Sequence, residues 1–158
     1  MKKFIRCIVC LIFMLFATST TCFANPVYVG QDDTYTDIYF LPNSIEILSR
    51  EKEKVIFTVM VEEILSQQAR NESMLSSYDR DLCQPYSPSI ATRRVLQYRY
   101  KMTPKKLEYR QELYVLMYGD MNVLGIDTVT KYYHDCKSPL VTFMIFQSVS
   151  KYIVDNKL

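Results

Sequence analysis

Hydrophobic and polar positions alternate with a period of two through much of the chain. The longest such stretch, residues 98–128, predicts three consecutive strands separated by two turns. Thr103-Pro104-Lys105 marks the first turn, and Tyr118-Gly119-Asp120-Met121-Asn122 the second. In the middle strand, Leu107, Tyr109, Gln111, Leu113, Val115 and Met117 are expected on one face. Glu108, Arg110, Glu112, Tyr114, Leu116 and Tyr118 are expected on the other. Earlier in the chain, residues 27–30, 35–41 and 55–62 predict further strands, with a brief extension at 45–48. In the last of these, Val55, Phe57, Val59 and Val61 share a face, and Ile56, Thr58 and Met60 share the other.

The period changes near the C-terminus. Leu140, Val141, Met144, Ile145, Val149, Tyr152 and Ile153 recur at three- and four-residue spacing, which predicts an amphipathic helix over residues 139–154. Ser138-Pro139 reads as its N-cap and first position. Phe143 and Phe146 widen its apolar side and are expected in the core. Residues 66–89 carry few apolar handles and predict a long surface loop, with one short helix allowed around 62–69. The fold class expected from these elements is α+β: an antiparallel sheet of about five or six strands with a C-terminal amphipathic helix packed on one face.

Composition revises the picture at the N-terminus. Lys2, Lys3 and Arg6 precede an apolar run over residues 7–17 and a small, polar stretch ending at Ala24, the form of a secretory signal peptide. Cleavage is expected between Ala24 and Asn25, leaving residues 25–158 as a single exported domain. The apolar run is about half the ~20 residues that a membrane span requires. Lipid attachment at Cys22 is an alternative, but Ser19-Thr20-Thr21 fits that signal poorly. The leader also explains the charge. The whole chain has 19 basic and 17 acidic residues, and removing the leader's three bases leaves the domain slightly acidic. Such a domain has no electrostatic case for nucleic acid or an anionic membrane surface. Arg93-Arg94 and Lys105-Lys106 read as solvated charge at strand ends.

Export also bears on the cysteines. Cys83 and Cys136 are the two that remain after cleavage, and two cysteines in an exported domain are expected to pair. The loop so closed would be worth about 4 kcal/mol in the chain-entropy model. Asn71-Glu72-Ser73 matches a glycosylation sequon, which has no meaning in a bacterial source.

Candidate chemistry is sparse. His134 lies beside Asp135 and Cys136, but a nucleophilic pair needs a free, facing thiol. Asp32-Asp33 lacks the ligand series of a calcium loop and reads as a polar turn. One His and no paired-cysteine motif make a metal site unexpected. With three Gly, the chain has no phosphate-binding loop. The expectation is a non-enzymatic protein with no cofactor and no metal. Tyrosine is the unusual feature: all 13 lie after residue 24, and there is no Trp. Tyr98, Tyr100, Tyr114 and Tyr118 could share one sheet face and form a binding surface.

The order of features resembles a known family. An aromatic opening strand (Val27-Tyr28-Val29-Gly30) leads into a Tyr-rich strand running to Ser44-Ile45. A Val-rich strand at 55–61, a late Tyr118-Gly119-Asp120 hairpin and two cysteines follow. In outline this resembles the surface-adhesin protein E family of small bacterial exported domains, although Tyr28 stands where that family commonly has Trp. The resemblance implies an antiparallel sheet with a packed helix, and a partner among host extracellular proteins. It carries over no binding residue. The second expected reading is a structural or inhibitory envelope domain that docks on a protein through a sheet edge or its helix. A homodimer paired along one edge strand would belong to that reading. Location is expected to be secreted, periplasmic or at the cell surface.

Overall fold

The computed structural model describes residues 25–71, 77–119, 122–128 and 132–158. The leader, Cys22, the Ala24 side of the cleavage junction and Glu72-Ser73 of the sequon lie outside these residues. Six strands form an antiparallel meander in sequence order: β1 (Val27–Gln31), β2 (Asp37–Glu51), β3 (Lys54–Ile64), β4 (Arg93–Met102), β5 (Leu107–Tyr118) and β6 (Asn122–Thr128). A two-residue β7 (His134–Asp135) continues along the free part of β5, pairing with Glu108 and Tyr109. Helix α1 (Ser77–Cys83) lies against β6, and helix α2 (Val141–Asp155) packs on the sheet. The expected α+β architecture is thus the observed one.

Local chemistry accounts for the turns and irregularities. Asp32 folds the β1–β2 turn: its Oδ1 accepts from Thr34 N at 2.8 Å, Thr34 Oγ1 at 2.7 Å and Thr36 N at 3.0 Å. Strand β2 joins two predicted segments across Pro42, where the register with β3 jumps from Leu41 to Glu46. Proline has no N–H for the ladder, so it is confined to edges and bulges. Ser44 bridges the gap, donating to Leu41 O at 2.6 Å and accepting from Met60 N at 2.7 Å. The β4–β5 turn closes on Thr103 and Lys106, as the sequence predicts.

One bulge corrects the predicted faces of β5. Gln97 pairs with Leu113 while Tyr98 pairs with Gln111, so Glu112 is the extra residue. Before the bulge Tyr109 shares a face with Tyr98 and Tyr100; after it Tyr114 and Leu116 do. A single unbroken alternation would have put Tyr109 and Tyr114 on opposite faces.

The core lies between α2, α1 and one face of the sheet. It is built from Ile38, Phe40, Phe57, Val59, Val61, Leu96, Tyr98, Tyr100, Tyr114 and Leu116, with Ile145 and Val149 of α2. Phe146 stacks at 6.1 Å from Phe57 and lies 5.6 Å from Tyr100, and Tyr152 meets Phe40 edge-on at 5.5 Å. The Phe143 and Phe146 expectation therefore holds, since both pack against the core.

Three expectations change. Helix α2 begins at Val141, not 139. Its N-cap position is Leu140, with no side-chain cap, and a turn from Lys137 O to Leu140 N precedes it. No helix forms at 62–69. β3 runs on to Ile64, and a turn follows in which Arg70 N donates to Ser66 O. The expected loop over 66–89 instead holds α1, too short to carry a helical repeat in the sequence.

Candidate interaction surface

The tyrosines proposed for binding do share a face, and it is the covered one. Tyr98, Tyr100 and Tyr114 are 7%, 0% and 8% exposed. Tyr100 Oη donates to Thr142 O in the first turn of α2 at 2.9 Å. Burial pushes both the Tyr98 and the Tyr100 hydroxyl far above the ordinary tyrosine range. These three are corrected from surface to core, because α2 covers their face. Tyr118 alone of the four is exposed, at the end of β5.

The cysteine expectation is corrected as well. Cys83 and Cys136 are both buried, and no disulfide joins them. Cys136 N donates to Leu107 O, at one end of β5. Cys83 follows Leu82, which lies against Gly125, and Gly125 pairs with Leu116 near the other end. Residues 107 and 116 are about 25–30 Å apart along an extended strand. A disulfide needs its Cα atoms within about 7 Å, so the fold holds the two apart. The Cys136 thiol approaches Thr142 Oγ1 at 3.9 Å, and burial raises its pKa, the reverse of what a nucleophile requires. His134 is exposed on β7, with its ring 5.8 Å from that of Tyr109. Asp135 binds Lys106 and Lys137, each at 3.0 Å. The described residues contain no group of three potential metal ligands. The concavities lined by Gln67, Arg70, Asn71 and Ser89, and by residues 51–55 with Pro104, are shallow and open.

The opposite face of the sheet is the more informative surface. Strand registers place its side chains in rows. One row runs Leu41, Met60, Gln97, Leu113, Thr128; the next runs Tyr28, Tyr39, Glu62, Val95, Val115, Ile126. A third contains Glu46, Thr58, Arg99 and Arg110. Neither helix packs here: the residues clustered with α1 and α2 belong to the covered face. Yet Tyr39, Leu41, Met60, Val95, Leu113 and Ile126 are half-buried apolar groups, and Tyr28 is exposed with its ring 5.3 Å from Tyr39. An antiparallel sheet with one solvated face ordinarily carries polar side chains there.

Charges on this face are paired within the sheet. Arg93 meets Glu62 at 2.8 Å, and Glu112 at the bulge takes Arg99 at 2.8 Å and Arg110 at 2.6 Å. Glu108 takes Lys106 at 2.8 Å and Lys101 at 3.0 Å, and these two lysines hold its carboxyl below the ordinary range. Tyr133 lies over Lys101 and Arg110, with 5.3 and 5.1 Å to its ring centre. Cross-strand ion pairs thus run along β5, from Glu108 to Lys101 and from Glu112 to Arg99.

Sequence reasoning passed over this face, although a signal existed. In β3 both alternating sets are rich in apolar residues, so neither face is a solvent face by composition. Comparison with family models, characterised proteins and solved structures finds no match to this chain.

Proposed function

We propose that this chain is a non-enzymatic, exported module of a bacterial envelope or cell surface that works by binding protein, in the manner of an adhesin. The observation that carries the reading is the half-buried, internally charge-paired sheet face on which no described helix packs. Burying such a face removes apolar area from water and leaves few charges unpaired. Tyrosines at its margin, Tyr28 and Tyr39, supply rigid contact area with a polar tip. The leader at residues 1–24 supports export, and the resemblance to surface adhesins supports a host extracellular protein as partner. No described helix is long and apolar enough to cross a membrane.

Surface plasmon resonance over immobilised host extracellular proteins tests the reading. Saturable binding by the exported protein, weakened about tenfold or more by Met60→Arg with the circular dichroism unchanged, is the expected result. Absence of binding to all of them, or binding indifferent to Met60→Arg, would overturn it.

A further inference from the structure

We propose that the sheet face on which no described helix packs takes a second copy of this chain, giving a two-fold dimer in which two meanders pack face to face. The proposal rests on the reading of that face as protein-binding and names the occupant it takes when no host protein is bound.

The size of the face fits. The six strands of the meander span five spacings of about 4.8 Å, or about 24 Å. Strand stretches of about eight residues give about 26 Å in the other direction, so the face offers roughly 600 Å². A stable interface needs roughly 800 Å² per partner, and a face with side chains in relief approaches that figure.

The pattern on the face is also self-complementary. Two sheets that pack face to face keep their strands roughly aligned. A two-fold axis parallel to the strands, passing between β3 and β4, exchanges β3 with β4, β2 with β5 and β1 with β6, and keeps each row in register. Leu41 then faces the partner's Leu113, and Met60 faces the partner's Gln97. Tyr28 faces the partner's Ile126, while Val115, opposite Tyr39, is already buried within its own chain. In the next row the exposed Glu46 faces the partner's Arg110, which lies beside the Tyr133 ring. An aromatic ring thus meets a smaller aliphatic group and acid meets base, while Glu62, already paired with Arg93, faces the partner's Val95. The ion pairs already formed by Glu62, Arg99, Arg110 and Glu108 let the polar part of the face be covered without isolating a buried charge.

Sedimentation of the exported protein from about 1 to 100 μM tests the association, because a dimer of this size falls in the micromolar range or below. A concentration-dependent dimer is expected, weakened about 100-fold by Met60→Arg, which sets a charge at the centre of the contact. Should Met60→Arg fail to fold, Tyr28→Ser, at an exposed position, replaces it. The axis is tested separately. Leu41→Cys mixed with Leu113→Cys is expected to give an oxidised interchain dimer, while Leu41→Cys alone gives none. A monomer throughout the range, a dimer unmoved by these face variants, or cross-linking of Leu41→Cys to itself would overturn the proposal. A monomer that still binds host protein in a Met60-dependent way would remove the second copy and leave the functional reading standing. A Met60-dependent dimer that binds no host protein would do the reverse.

Discussion

Single residues decide more of this fold than their number suggests. Asp32 is the clearest case, since one carboxylate oxygen serves two backbone N–H groups and a hydroxyl in the β1–β2 turn. Asp32→Ala is expected to cost about 1–2 kcal/mol, lowering the melting temperature by about 3–8 °C. Asp32→Asn should recover much of it, because an amide oxygen can still accept. Equal melting temperatures for Asp32→Ala and the parent would show that the turn does not depend on this acceptor. The sequence marked this position as a polar turn but not as its organiser, because an Asx turn and a solvated acid look alike in composition. The thiols make a second prediction at this scale. Cys83 and Cys136 should react slowly with a thiol reagent in the native protein and rapidly on unfolding without reductant, giving two thiols per exported chain. A count of zero would mean that they are bridged in a different fold. Two cysteines left in an exported domain suggested a bridge; the length of β5 between the two sites prevents it.

At the scale of elements, the period-two pattern was sufficient to find strands and insufficient to say where they slip. Residues 35–41 and 45–48 join across the irregularity at Pro42 because Ser44 accepts from Met60 N and donates to Leu41 O. The Glu112 bulge reassigns Tyr109 and Tyr114 to one face, and no local feature of the sequence announces it. Helix α1 was illegible for another reason: at seven residues it shows less than two turns of periodicity, and its place is set by a glycine on another strand. A Cβ on Gly125 would fall 2.4 Å from Leu82 O and 2.5 Å from Leu82 Cγ. The oxygen belongs to the backbone, so relief requires α1 to lift off β6. Gly125→Ala is expected to destabilise by about 1–3 kcal/mol and to speed amide exchange in residues 77–83. Gly119→Ala is the contrast: a Cβ there meets nothing within 4 Å, but φ is +59°, so a cost of about 1 kcal/mol from backbone strain alone is expected. If Gly125→Ala left exchange in α1 unchanged, the helix would not be seated on that glycine.

For the whole molecule, composition and periodicity sufficed for the α+β class and for a C-terminal helix on a sheet. They did not say which face the helix takes: both alternating sets of β3 are rich in apolar residues, and the Tyr98–Tyr100 set of β4 reads equally as a surface or a core. That choice buries Tyr98 and Tyr100, and it has a consequence at alkaline pH. Desolvation beneath α2 raises both hydroxyls, and Glu63 adds to the effect at Tyr98. In the unfolded chain the same groups ionise near the ordinary value of about 10. The folded pKa is the higher one, so this stabilisation is complete below about pH 10 and is lost as pH rises further, where the unfolded state releases protons that the fold retains. When pH is raised, Tyr98 and Tyr100 should ionise in the same kinetic phase as unfolding, followed by near-ultraviolet circular dichroism, and Tyr100→Phe should remove one tyrosinate equivalent from that phase. All 13 tyrosines titrating in one reversible step with the dichroism intact would mean that α2 does not seal this face.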